Sequence, residues 1–248
     1  MTYLMTIDSG NTHVKWGLHD GSNWLEQGTI TQDKSILLQQ EWKSLPTPHS
    51  IIISNVSSIE TKKKLSELLS CWKVEPEWIT PLVYQCGVRN YYADPSLLGS
   101  DRWAALIAAW NWQKKGCLVV DVGTAMTVDA LSDTGEFLGG IIVPGFKLMK
   151  ESLTTNITTL QNREGEFSEF PNNTANAIHS GTVHALVGTV KRMSELFFST
   201  LGHVPKCIIS GGASQQLMSE LNMDASVVDN LVLEGLVLIA EENSETIE

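Results

Sequence analysis

The chain has 248 residues, 42% of them hydrophobic, and its 28 acidic against 17 basic side chains give a formal net charge of −11. That apolar share is enough to build a core and excludes wholesale disorder. The acidic balance, without a basic cluster, argues against gripping a nucleic-acid backbone or an anionic membrane surface, so neither is expected as a partner.

The first element is a buried strand, Leu4–Ile7, running into Asp8-Ser9-Gly10-Asn11-Thr12 and returning as Val14–Leu18 to the turn Asp20-Gly21. Ile51–Ile53 reads as a second buried strand. Leu65, Leu68, Leu69 and Trp72 fall on one stripe, so 61–73 reads as an amphipathic helix. A helix is expected over Trp103–Trp112. Leu118–Val120 is the next strand, entering Asp121-Val122-Gly123-Thr124-Ala125 and returning through Met126–Leu131 to Asp133-Thr134-Gly135. Val183, Leu186, Val187 and Val190 define a helix from Ala177 to about Ser199. Ile208–Ile209 is a strand entering Ser210-Gly211-Gly212-Ala213, and Leu231–Glu241 is the last helix. Expected loops are 46–50, 83–100 and 161–173. Cys71, Cys86, Cys117 and Cys207 form no Cys-x-x-Cys pair, which argues against a zinc site or disulfide scaffold. The apolar run Ala104–Trp110 is far short of the ~20 residues that span a bilayer, and no basic segment precedes Asp8, so a cytoplasmic protein is expected.

The most informative feature is an internal echo. Strand, Asp-x-Gly, a hydroxyl or amide residue, then a second strand occurs at Asp8 and again at Asp121, nearly half a chain later. A duplicated hairpin at that spacing suggests two similar domains facing one another across a cleft, over 1–112 and 113–248. Gly10 and Gly123 would let a ligand approach the main chain, and consecutive N–H groups in such a tip form an anion-binding nest. Thr12, Thr124 and Thr127 add hydroxyls. Asp8 and Asp121 are hard oxygen ligands suited to Mg²⁺ or another cation on a phosphate. The competing reading of either copy is an ordinary hairpin turn. Gly-x4-Gly-Lys-[Ser/Thr], Gly-x-Gly-x-x-Gly and Gly-x-Ser-x-Gly are all absent, which disfavours P-loop enzymes, dinucleotide-dependent dehydrogenases and α/β-hydrolases.

Gly99-Ser100-Asp101-Arg102 stands at a loop-to-helix junction. Ser100 would cap the helix, and Asp101 would lie in the first turn, where the helix dipole favours its ionised form. A carboxylate there can accept a proton from a hydroxyl, and Arg102 can fork onto a substrate carboxylate. Spacing alone does not separate this from an Asp that merely stabilises a helix start beside a solvated Arg.

Taken in order, Asp8-Ser9-Gly10-Asn11-Thr12, Gly99-Ser100-Asp101-Arg102, Asp121 through Asp129, Gly139 through Gly145 and Asn173 through Gly181 resemble type III pantothenate kinase. The resemblance runs from Asp8 to the segment Asn230–Leu236. It implies an α/β fold of duplicated ribonuclease H-like domains, as in the acetate and sugar kinase/Hsp70/actin superfamily. It implies transfer of the ATP γ-phosphate to pantothenate, the first step of coenzyme A synthesis, with Mg²⁺ and an active site at a homodimer interface. By matching motif, Asp8, Ser9, Gly10, Asn11, Thr12, His13, Val14 and Lys15 form the first phosphate loop. Asp101 is the base. Tyr92, Gly99, Ser100, Asp101 and Arg102 contact pantothenate, with Thr174 contributed across the dimer. Thr124 contacts ATP, and Asp121 holds a monovalent cation, K⁺ or NH₄⁺. Ala213-Ser214 replaces an acidic residue that many relatives carry after the late Gly-Gly, which bears on nucleoside binding. A non-enzymatic accessory protein and a kinase of another small alcohol are the alternatives.

Overall fold

The structure is a computed structural model that describes residues 2–156 and 164–245. Residues 161–163 of the expected loop 161–173, and the last three of the chain, lie outside the described residues. In chain order the elements are β1 (Leu4–Ser9), β2 (His13–His19), β3 (Trp24–Thr31), α1 (Leu38–Glu41), β4 (Ser50–Asn55), α2 (Ile59–Leu69), β5 (Glu77–Trp78), β6 (Tyr84–Gln85), β7 (Val88–Asn90) and α3 (Ser100–Gln113). There follow β8 (Cys117–Val122), β9 (Ala125–Leu131), β10 (Glu136–Pro144), α4 (Phe146–Asn156), α5 (Thr174–Leu201), β11 (Lys206–Ser210), α6 (Ser214–Leu221), β12 (Ala225–Val227) and α7 (Leu231–Glu245). No helix among the described residues is long and apolar enough to cross a membrane.

The chain divides into two compact units: residues up to Trp112 together with those from Asn230 onward, and Gln113–Asp229 between them. The expected grouping of 113–248 as one domain therefore changes at its end. The reason is the apolar face of α7, which packs on β1, β2 and β4 of the first unit. In that unit the strand order is β3-β2-β1-β4-β5, with β1 antiparallel to β2 and parallel to β4. In the second unit it is β10-β9-β8-β11-β12, with β8 antiparallel to β9 and parallel to β11. The order third, second, first, fourth, fifth is the same for these five strands of each unit, so the echo read from two hairpins extends to all five.

Burial explains why these segments are strands. Met5, Ile7, Val14, Trp16, Leu18, Ile51 and Ile53 point to one face and meet Leu38, Trp42, Leu65, Leu68 and Leu69. Ile52 is buried on the other face, as expected for a parallel strand covered on both sides. In the second unit Leu118, Val120, Met126, Val128, Cys207 and Ile209 pack against Val183, Leu186, Val187, Val190 and Phe197 of α5 and Leu217 and Leu221 of α6. Burying each such large side chain stabilises by about 1.5–3 kcal/mol. The helix α5 starts three residues before the expected Ala177, because Asn173 caps it by accepting from the Asn176 N–H at 3.0 Å. The expected loop 83–100 holds the short hairpin β6–β7 and a tight turn at Pro95–Leu97.

Candidate active site

In the first unit, β1 delivers Asp8 and Ser9 to a tip, Gly10–Thr12, before β2 begins at His13. The tip is closed by the Gly10 N–H donating to the His13 C=O at 3.0 Å. Asp8 is half-buried with Oδ1 shielded from solvent, and it stands opposite Lys15 across the hairpin. Asn11, Thr12 and His13 are exposed and Ser9 is buried. Val14 lies in the core, so a ligand at this loop would meet its main chain only.

The base candidate is brought to the same end of the sheet. Asp8 is the register partner of Ser54 on β4. The Ser54 and Ser100 hydroxyls lie 3.0 Å apart, and Ser100 Oγ accepts from the Asn55 N–H at 3.1 Å. Ser100 thus tethers α3 to β4 rather than capping its own helix, a correction to the sequence expectation. It is the first helical residue, and the preceding Gly99 C=O accepts the Trp103 N–H at 3.0 Å. Asp101 follows in the first turn. Burial pushes its carboxyl above the ordinary range, opposed by the Arg102 backbone N–H, which donates to Oδ1 at 2.7 Å, and by the Arg102 charge.

Gly99 has a steric reason to be glycine. A Cβ there would sit 2.5 Å from Asp101 Oδ1. The clash falls on the movable end of a side chain, so Gly99→Ala should leave the fold intact and displace the carboxylate. We expect kcat to fall roughly 10–100-fold with the melting temperature within 2 °C or so of the parent, since misplacing a reacting group by about 1 Å costs up to 10²-fold. Unchanged kcat on steady-state assay would show that the carboxylate position is not critical.

Arg102 is 93% buried (7% exposed), not solvated. Its Nη1 donates to the Tyr92 hydroxyl at 3.1 Å, and the guanidinium lies 5.9 Å from the Tyr92 ring centroid. The Tyr92 loop is braced in turn, because its N–H donates to Asn90 Oδ1 at 3.0 Å while Asn90 Nδ2 donates to the Pro95 C=O at 3.2 Å. Tyr92, Gly99, Ser100, Asp101 and Arg102 therefore form one constellation beside the β1–β2 tip. Trp103 takes no part: it is fully buried and its indole donates to Gln85 Oε1 at 2.9 Å.

In the second unit, Asp121 is the half-buried penultimate residue of β8, in register with Thr127 and Ser210. The Gly123 N–H donates to the Ala125 C=O at 3.0 Å, and Thr124 is exposed at the tip. The Thr124 C=O accepts the Gly145 N–H at 2.9 Å, and the Val122 C=O accepts the Ala213 N–H at 3.1 Å. Gly211, at φ +98°, presses on the Val122 backbone, where a Cβ would lie 2.6 Å from it. The second Asp-x-Gly loop and the late Gly-Gly turn are therefore locked together. A Cβ on Gly212 would meet nothing within 4 Å, which leaves room for a flat ring. Thr174 lies elsewhere in this unit, in a groove of about 440 Å³ between α4 and α5 lined also by Met149, Leu153 and Ile178.

These residues fit a nucleotide with its magnesium. The described residues hold no cluster of three or more His, Cys, Asp or Glu able to bind a metal alone. Mg²⁺ in nucleotide sites takes one or two carboxylates, phosphate oxygens and waters, not an all-protein cage. Asp8 and Asp121, each half-buried at a strand end, are such single carboxylates beside exposed tips.

Sequence reasoning missed Gln32 and Ser57, which contact the first tip and Ser9, and Ser54 and Asn55, which bond Ser100. They belong to no motif, and only their position at or just past the ends of β3 and β4 would have pointed to them.

Three comparisons bear on identity. The family model described as type III pantothenate kinase matches residues 4–196. A protein of Nitrosospira multiformis named type III pantothenate kinase is 58% identical over 243 residues, covering 98% of this chain and 93% of that protein. Among solved structures, a conserved Campylobacter jejuni protein provisionally described as a Baf family transcriptional activator aligns with TM-score 0.61 at 22% identity, covering 97% of this chain and 99% of that one. MreB5 of Spiroplasma citri, solved with ADP, aligns with TM-score 0.56 at 10% identity, covering 100% and 98%. At those identities the structures establish the actin-like fold alone, of which each unit carries one ribonuclease H-like sheet. Family model, sequence relative and the ordered motifs agree, and the chain belongs to the type III pantothenate kinase family.

Proposed function

We propose that this enzyme phosphorylates pantothenate at its terminal hydroxyl with ATP, giving 4'-phosphopantothenate, and that Asp101 is the general base. The observation that supports the reading is the convergence, at one end of the first sheet, of the hairpin tip after Asp8 and a desolvated carboxylate, linked through the register of Asp8 with Ser54 and the Ser54–Ser100 hydroxyl pair.

Phosphoryl transfer depends mostly on positioning and charge stabilisation. ATP with its Mg²⁺ supplies the γ-phosphoryl group and neutralises its charge. The chain's own groups do the rest. The N–H groups and hydroxyls of the tip after Asp8 hold phosphate oxygens. Asp101, poised as a better proton acceptor by burial, takes the hydroxyl proton as that oxygen bonds to phosphorus and the bond to the leaving ADP oxygen breaks. Arg102, held by Tyr92, offers its guanidinium to the pantothenate carboxylate. Asp121 would hold K⁺ or NH₄⁺, and Thr174 would act in a homodimer on the site of the second copy.

The test is ADP release by the purified enzyme in Mg²⁺ and K⁺, with and without pantothenate, beside a panel of other primary alcohols. Pantothenate-dependent turnover is expected, as is a drop when Na⁺ is the sole monovalent ion. ATP binding without pantothenate-dependent turnover would instead mark an accessory protein, and preference for another acceptor would reassign the substrate. Equal rates in Na⁺ and K⁺ would remove the cation role from Asp121.

A further inference from the structure

Gln32, the first residue after β3, makes three hydrogen bonds to the tip that follows Asp8. Its backbone N–H donates to the Thr12 C=O at 2.9 Å. Its side-chain Nε2 donates to the Gly10 C=O at 2.6 Å and to Ser9 Oγ at 3.2 Å. Its side chain thus holds the start of the tip and its backbone the end, while Ser57 Oγ lies 3.3 Å from Ser9 Oγ at the start alone.

The consequence follows from peptide geometry. In a planar trans peptide the C=O and the next N–H point in opposite directions. Fixing the Gly10 and Thr12 carbonyls on Gln32 turns the N–H groups of Asn11 and His13 to the opposite side of the tip. Two N–H groups aimed the same way, on exposed residues, are what an anion-binding nest requires. Left unanchored, those peptide planes could rotate and present carbonyl oxygens to an anion instead. We infer that Gln32 is a positioning residue of this kinase: it holds the first phosphate loop in the orientation that receives the triphosphate of the nucleotide, without touching the nucleotide itself. The inference rests on the reading of that tip as a phosphate loop.

The decisive comparison is the KM for ATP against the KM for pantothenate in the full-length enzyme. Gln32→Met keeps the side-chain length and removes the donor. We expect its ATP KM to rise roughly tenfold, the size of one to two net hydrogen bonds, with the pantothenate KM within about twofold and thermal melting unchanged. Gln32→Glu should raise the ATP KM further, because its carboxylate loses the donor and repels the Gly10 carbonyl oxygen it would face. Part of that loss should reverse as pH is lowered and the new carboxyl regains a proton to donate, a signature that a purely structural role would not give. An ATP KM within twofold of the parent in both variants overturns the inference. So does loss of a folded thermal transition in both, or an equal rise in both KM values. Gly10→Asp serves as the separate check on the loop itself: the added Cβ has room, at 3.4 Å from the His13 oxygen, and the carboxylate would repel phosphate. If Gly10→Asp weakens ATP and the Gln32 variants do not, only the positioning role fails. If Gly10→Asp leaves ATP affinity intact, the phosphate-loop reading fails.

Discussion

Asp101→Asn is expected to lower kcat by about 10²–10⁴-fold, the usual size of a general-base contribution, while the protein melts no lower than the parent at neutral pH. The two halves share a cause. Burial raises the Asp101 pKa above its ordinary 3.8 despite the Arg102 N–H and charge, so the folded protein holds this carboxylate at a cost relative to water. A group whose folded pKa is raised contributes stability that is fully present below its unfolded pKa, about 3.9, and lost as pH rises through the folded value. At neutral pH the ionised form therefore destabilises, and a neutral amide of the same shape relieves it. The gain in melting temperature should vanish as pH falls below about 4, where the parent carboxyl is also protonated. The same shift places the acid limb of kcat/KM above the range of an ordinary aspartate, since the base must be ionised to act. Steady-state rates and thermal melts across pH check both. Retained turnover removes Asp101 from the chemistry, and a melting temperature well below the parent's would make it a structural anchor.

Gly235→Ala should be the most damaging single methyl group in the first unit. A Cβ at Gly235 would lie 1.9 Å from the Ala104 carbonyl oxygen and 2.5 Å from its carbon, so α7 and α3 cross backbone to backbone there. Alanine normally gains about 1 kcal/mol over glycine inside a helix. Here neither obstructing group is a side chain that can swing away, so the overpacking cost of about 1–3 kcal/mol or more exceeds that gain. We expect a net loss near 2 kcal/mol, a fall in melting temperature of roughly 4–8 °C. Activity should fall as well, because Ala104 lies one turn after Asp101. Gly188→Ala on α5, where a Cβ would meet nothing within 4 Å, is the control and should stabilise by up to about 1 kcal/mol. Equal melting temperatures for the two variants would contradict the close crossing.

The difference between those glycines was invisible in the chain's letters, and the same holds for much of the site. Asp101 was legible as a first-turn carboxylate, but a solvated helix start and a base share that pattern. Its desolvation comes from burial, which the folded surroundings impose and no local pattern encodes. Arg102 was read as solvated or clamping, and it is buried against Tyr92 ten residues earlier. Ser100 was expected to satisfy its own helix and instead bonds β4. Short polar side chains have several partners of similar worth within reach, and long-range packing decides among them.

What the sequence determined by itself was periodic or repeated. Apolar runs such as Ile51–Ile53 and stripes such as Leu65, Leu68 and Leu69 encode burial locally, and the echo of Asp8 at Asp121 encodes a duplicated hairpin with its chemistry at the tips. Weakly patterned strands escaped, among them β3 and β10, because their faces are not cleanly divided between buried and exposed. Tertiary structure alone decided that α7 returns to the first unit, that five strands of each unit share one order, and that Gln32 braces the tip after Asp8. Each depends on contacts between residues far apart in the chain, whose free energy exists only once the intervening chain has been ordered.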